Sequence, residues 1–422
     1  MIWLLLRLAM RNMLRNKRRT ILTLFAVISG MASLIVFGGF ISYTYWGLRE
    51  ATIHPQLGHI QIYREGYISK GIANPYRYLL CDYQQIEREI QNIARVKTII
   101  GRLGFSGLIS NGSNTTTCLA TGTMPEREKE IMILNAASMH KRESAGFETL
   151  LAGSHLSDSR RHSIVIGNEL SRSLNIKTGD MVTILTTTTT GMINAMDIEV
   201  SGIVRTSAKE YDRVFVGVPL SVAQTLLNTS CVERIVVFLE KTEETEKIAG
   251  DLRRLFKSKG LNLELKTWLE LSDFYRAVVR MYNGIFKVVK AIIVTLFLFG
   301  IANTMTMSAF ERVREIGTLR AIGTKKSGIV KLFLCEGFLL GFVGGVMGVI
   351  AGIVTAKIIN SLGGFYIPPP PGMSQGYQAL IFIEPMVALY AFISTVIIAT
   401  LSSLYPAWKA TNLKIIKALG YV

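Results

Sequence analysis

The charged residues with the most informative spacing lie in Glu311–Gly323, which reads ERVREIGTLRAIG. Arg312, Arg314 and Arg320 supply cations. Glu311 and Glu315, four apart, can share one side of a helix. Val313, Ile316 and Leu319 recur every three residues and can line another side, with Gly317 among them and Gly323 at the end. Residues of these types do no covalent chemistry; at this spacing they offer a short docking helix. A basic loop that only fixes membrane topology is the plainer reading of the same stretch. Catalytic patterns are missing: there is no GxxxxGK[ST], HExxH, GxSxG or kinase set. The run GTKKSG from Gly323 only superficially resembles a phosphate loop. The chain is therefore expected not to hydrolyse ATP by itself.

The elements that must position this stretch follow from composition. The chain has 422 residues, is 49% hydrophobic, and carries a net charge of +17. Its mean hydropathy of +0.35 suits a mixture of membrane spans and a water-soluble domain. The basic residues crowd the ends of apolar runs, and no recognition motif accompanies them, so nucleic acid is not an expected partner. Of four cysteines, Cys81, Cys118 and Cys231 fall in the expected soluble part, an odd number whose pairing stays open. There is no CxxC, and metal binding is not expected.

In chain order, 1–19 reads as a cytoplasmic amphipathic helix with Arg7, Arg11, Arg15, Lys17, Arg18 and Arg19 and no acid. The spans are expected at 20–48, 281–310, 332–358 and 385–408. The first run is too long for a cleaved signal peptide and reads as an anchor. Between the first two spans lies a periplasmic domain, 49–280. Its ends, 49–125 and 232–267, each read as strand, helix, strand and predict one split α+β subdomain. The middle, 126–231, is richer in strands, and 268–280 is a stalk leading back to the membrane. Then come a cytoplasmic loop, 311–331, an outer loop, 359–384, with Pro368–Pro371, and a cytoplasmic tail, 409–422. The proposed inner segments 1–20, 311–331 and 409–422 hold 6, 6 and 3 Lys and Arg, and the outer stretch 360–383 holds none. By the positive-inside rule both termini are cytoplasmic. The fold class is thus an α-helical membrane protein with four spans and a large α+β domain between the first two.

Two further features stand out. Gly337, Gly341, Gly345, Gly348 and Gly352 are spaced to form a seam on one face of the third span, with Gly344 beside it. Such a seam lets another backbone approach closely, within the chain or in a second subunit. Glu336, just before it, is expected at the membrane interface. In the soluble domain, Thr186 to Met196 reads as a polar, protruding hairpin tip: Thr186, Thr187, Thr188, Thr189, Thr190, Gly191, Met192, Ile193 and Asn194 form a candidate loop for gripping a periplasmic partner.

The chain resembles the permeases of the MacB/FtsX/LolCE family of ABC transporters. The resemblance rests on RNMLRNKRRT before the first span, ERVREIGTLRAIG, the glycine-rich third span and YPAWKATNLKIIKAL at the end. SIVIGNEL, LNIKTGDMVTI and VSGIV add to it in the soluble domain. It implies that Glu311–Gly323 docks on a separate cytoplasmic ATPase dimer, which binds ATP and magnesium, and that this chain needs no cofactor of its own. The membrane helices then transmit ATP-driven motion to the periplasmic domain rather than lining a channel. A second permease subunit, membrane lipids and a periplasmic carrier or adaptor are the other implied partners, in the bacterial inner membrane. Domain size and GHIQIY look most like the LolC/LolE branch, which implies lipoprotein release. A tripartite exporter of a peptide, toxin or small protein and an FtsX-like regulator of cell-wall hydrolases are the alternatives.

Overall fold

The computed structural model describes residues 2–15, 17–71, 73–91, 93, 95–138, 149–158, 160, 162–206, 208–368 and 376–412. The chain forms two compact units. One comprises Met1–Tyr45, Val278–Phe365 and Gln378–Val422; the other comprises Trp46–Ala277 and Tyr366–Tyr377.

The first unit is helical, as an apolar sequence must be where lipid offers the backbone no hydrogen-bond partner. Among the described residues, four helices are long and apolar enough to cross a membrane. They begin as the first (Lys17–Thr52), second (Asp273–Glu311), third (Lys326–Ser361) and fourth (Pro385–Ser402) long helices. At 36 residues, the first and third reach about 54 Å, beyond a hydrocarbon core of about 30 Å. Residues 273–280 of the stalk expected at 268–280 run straight on into the second long helix. It is preceded by the turn-long helix Trp268–Leu271, whose start is closed by a reciprocal Thr267–Glu270 capping box. Ile2–Arg15 is a helix of its own. Lys414, Lys417 and the end of YPAWKATNLKIIKAL lie outside the described residues, as do three of the four prolines at 368–371.

Among the described residues, the main sheet of the second unit has ten strands: β1 (Ile60–Arg64), β2 (Val96–Ser110), β3 (Thr115–Thr123), β4 (Thr149–Gly153), β5 (Ser163–Gly167), β6 (Met181–Thr187), β7 (Ile193–Arg205), β8 (Phe215–Pro219), β9 (Arg234–Leu239) and β10 (Leu263–Thr267). Their order is β10-β1-β9-β2-β3-β8-β5-β7-β4, with β6 joining β2 and β7. The β10-β1-β9-β2 part is antiparallel throughout. With helices Tyr83–Gln91 and Thr245–Ser258 it forms a β-α-β-β-α-β layer drawn from both ends of the domain. The apolar stripes of those helices, Ile86, Ile90, Ile248, Leu252 and Phe256, pack on Ile60, Ile62, Ile99 and Val237 of the sheet. Ile131, from helix Pro125–Ser138, joins Ile100, Val236 and Phe238 in a separate buried cluster.

Strand β2 ties this layer to the rest. Its first half pairs with β9, and from Leu103 to Ser110 it pairs with β3. β2 therefore runs unbroken from Val96 to Ser110, and β3 pairs in parallel with β8 of the middle piece. Leu80 and Val232 exchange two backbone hydrogen bonds of 2.8 and 3.0 Å. Beside them Cys81 and Cys231 form a disulfide across a sequence separation of 150 residues. Cys118 is free and buried, and burial pushes its thiol up to about 11, so it stays protonated and inert.

Near β1, His59 is buried with its Nδ1 accepting from Leu239 N–H at 3.2 Å and its Nε2 lying 3.1 Å from Thr242 Oγ1. A ring that accepts at Nδ1 is neutral. Burial, with His54 beside it, pushes its pKa from 6.5 down to about 3.

Two expectations follow. Replacing Cys81 and Cys231 by Ser should lower domain stability by about 2–5 kcal/mol, read from the urea midpoint, because a long loop is released in the unfolded chain. An unchanged midpoint would show that the bond constrains nothing. For His59, the unfolded chain takes up a proton below pH 6.5 that the folded domain refuses until about 3. Its contribution is complete above 6.5 and declines on acidification, so the midpoint should fall between pH 7.5 and 5 and fall less in His59→Asn.

Candidate functional site

The second long helix ends at Glu311, and a new helix, Val313–Ala321, starts two residues on. Arg312 between them is the break, with φ −109° and ψ 16°. The connecting helix stops because Gly323 adopts φ +100°, which a side chain disfavours. The last carbonyls are then met by Ile322, Gly323 and Thr324 N–H at 3.0–3.1 Å.

Burial sorts the residues of this stretch. Val313, Ile316 and Gly317 face inward, Ile316 into a cluster with Ile329, Phe333, Ala407 and Ala410. Leu319, expected on that face, is 41% exposed. At 3.6 residues per turn a spacing of three drifts off the stripe, and Gly317 takes the place. Arg314, Thr318, Leu319, Ala321, Ile322 and Gly323 form the open side. Arg320 donates to the Thr411 carbonyl at 2.9 Å.

The charges expected to serve a partner are held within the chain. Glu315 pairs with Arg15 and Glu311 with Arg19, each at 2.7 Å. Both pairs are partly exposed, worth at most about 1 kcal/mol each. Arg312 differs. It is 5% exposed and grips Glu336 with two bonds of 2.9 and 2.8 Å. It also donates to the Ser308 carbonyl and hydroxyl and lies over the Phe333 ring. Glu336, 3% exposed, accepts a third bond from Asn12 at 2.7 Å. Removing one partner of such a pair strands a buried charge, at about 3–5 kcal/mol. Sequence reasoning kept Arg312 among the docking residues and Glu336 at an interface; neither their sequence distance of 24 nor their types announces the pair.

The glycines of the third long helix are not one seam. A Cβ on Gly337, Gly341 or Gly345 would meet Ala399, Val396 or Phe392 of the fourth helix within 2.7–3.0 Å. On Gly344, Gly348 or Gly352 it would meet Val27, Met31 or Ile35 of the first helix within 2.5–3.0 Å. Gly348 and Gly352 thus belong with Gly344 on a second face. Both partners are in the same chain.

The hairpin tip is also tied down rather than protruding freely. Strands β6 and β7 continue to Thr187 and Ile193. Thr186 Oγ1 donates to the Ser106 carbonyl at 2.8 Å, and Thr189 N–H to that of Leu227 at 3.1 Å. Asn194 Nδ2 reaches the carbonyls of Thr225 and Leu226. Thr186 and Thr188 are buried; Met192 and Ile193 are the exposed apolar residues of the tip. Among the described residues no group of His, Cys, Asp or Glu could hold a metal ion.

Residues 20–255 match the MacB-like periplasmic core domain, and residues 288–415 match the FtsX-like permease C-terminal domain. The chain belongs to the ABC transporter permeases of the MacB/FtsX/LolCE type. This permease is a multi-pass membrane protein with an extracytoplasmic domain, and both matches are to permease domains. It is 23% identical to the lipoprotein-releasing system transmembrane protein LolC of Xylella fastidiosa, over 75% of this chain and 76% of that one. An uncharacterized ABC transporter permease of Methanocaldococcus jannaschii is 24% identical over 97% of this chain and 96% of its own. The solved periplasmic region of MacB from Actinobacillus actinomycetemcomitans aligns at a TM-score of 0.37 and 12% identity, covering 54% of this chain and 95% of that one.

Packing through glycine makes a sharp expectation for this permease. Gly348→Leu or Gly341→Leu should cost about 1–3 kcal/mol or more by overpacking, seen as a lower melting temperature in detergent. Met347→Leu, at a half-exposed site beside them, should leave it unchanged. Equal melting temperatures for all three would refute the two-faced packing.

Proposed function

We propose that this permease is the mechanical half of its transporter. Its connecting helix docks on a separate cytoplasmic ABC ATPase dimer, and the long helices carry the resulting motion to the extracytoplasmic domain. The observation that carries this is the open side of Val313–Ala321. Leu319 is 41% exposed and Ile322 78% exposed, beside Arg314, on a helix set between two spans. Exposed apolar residues ringed by charge suit a protein partner. Glu311 and Glu315 act by holding the basic helix Ile2–Arg15 and the start of the first long helix, through Arg15 and Arg19. ATP and magnesium belong to the partner. The Lys and Arg of 1–20 and 311–331 support a cytoplasmic position for this end of the helical unit.

A second permease, identical or related, completes the unit. Release of lipoproteins from the membrane to a periplasmic carrier is the reading supported by LolC and LolE among the relatives. Expulsion of a periplasmic substrate through an adaptor is the second reading. It is favoured by the match to a MacB-like periplasmic core over more than half of the chain.

Purification of the complex from native membranes tests the assembly. An ATPase should co-purify with the wild-type chain and be lost with Leu319→Asp and Ile322→Asp, with insertion intact. Absence of any ATPase from the wild-type complex would end the transporter reading. Glu311→Lys with Glu315→Lys should lower stimulated hydrolysis by at least about tenfold, or about 1.4 kcal/mol. Adding Arg15→Glu and Arg19→Glu should restore it if the acids act within the chain. No restoration would instead mark them as ATPase contacts.

A further inference from the structure

Arg312 occupies the only non-helical position between the second long helix and the connecting helix. A break of this kind is where a pushed helix can swivel, since one residue absorbs the change in φ and ψ. Here the side chain at the break is held from three sides. Glu336 of the third long helix takes both guanidinium ends, Ser308 of the preceding turn takes two more bonds, and Phe333 lies under the cation. Glu336 is in turn bonded by Asn12 of Ile2–Arg15. A buried ion pair seldom improves stability over an apolar pair of similar volume, but its fork geometry fixes orientation.

We infer that Arg312, Glu336 and Asn12 form a pinned joint. It makes the connecting helix, the third long helix and the Ile2–Arg15 helix move as one body, so that Arg312 and Glu336 are positioning residues for energy coupling and not ATPase contacts. This rests on the mechanical reading above. A swivel at Arg312 would dissipate a push on the connecting helix. With the joint locked, the push reaches the third long helix, whose glycine faces pass it to the first and fourth.

The test uses the full-length permease with its co-purified ATPase in lipid nanodiscs. A fluorophore on Met192→Cys, at an exposed site of the extracytoplasmic domain, reports the change between nucleotide-free and ATP–vanadate states. The same complex without that cysteine supplies the background. Arg312→Met with Glu336→Leu removes both charges together. It should keep ATPase binding and hydrolysis within about twofold, while the nucleotide-dependent signal falls at least about tenfold. Arg312→Lys keeps the charge but not the fork, and should give an intermediate signal at normal hydrolysis. A full signal in the paired apolar variant overturns the joint. If that variant does not assemble, Arg312→Lys decides: an undiminished signal overturns the joint and a reduced one supports it. A wild-type complex with no nucleotide-dependent signal would overturn the mechanical reading itself, and the joint with it.

Discussion

Close approach of backbones through glycine governs the helical unit. Apolar side chains gain little from each other over lipid tails, so helices in a bilayer associate by fit and by shared hydrogen bonds. The third long helix meets this with two glycine faces, one on the fourth helix and one on the first. Its large side chains, such as Phe338, Phe342 and Ile350, are left partly exposed. Polar contacts between helices include Thr23 with Thr304, Tyr45 with Asn283, Thr395 with Met31, and the ionic group at Arg312. The glycine contacts run along the helix, whereas the ionic group fixes one end of it.

The same logic explains how charges are divided around the connecting helix. Pairs in partial contact with water, Arg15–Glu315 and Arg19–Glu311, are weak and exchangeable. The pair removed from water is strong only while intact. The connecting helix thus keeps its weak charges at the rim and its unforgiving one at the bend, with Leu319 and Ile322 left exposed.

Much of this was legible in the sequence where a local period or a charge boundary carried it. The four apolar runs gave the long helices, and strand–helix–strand patterns at both ends of the domain gave its split layer. What sequence could not carry was pairing over distance. Three cysteines left the bond between Cys81 and Cys231 undetermined. Glycines three and four apart look like one face until two neighbours share them. The Thr-rich tip read as free because its anchors, Ser106, Thr225, Leu226 and Leu227, are distant in sequence. Arg312 read as surface charge because only the fold brings Glu336 to it.

The span between Cys81 and Cys231 also sets an order of events during synthesis. Cys81 is made well before its partner, since 150 residues separate them. At ordinary elongation rates that interval lasts roughly 8–30 s. In that interval Cys118 is the nearer thiol and the wrong one. β2 and β3 can pair as a hairpin once both are made, and β8, made shortly before Cys231, adds the other neighbour of β3, the strand in which Cys118 is buried. The Cys81–Cys231 bond can therefore close only after the whole middle piece has been made, and it then fastens the two ends of the split layer around that piece.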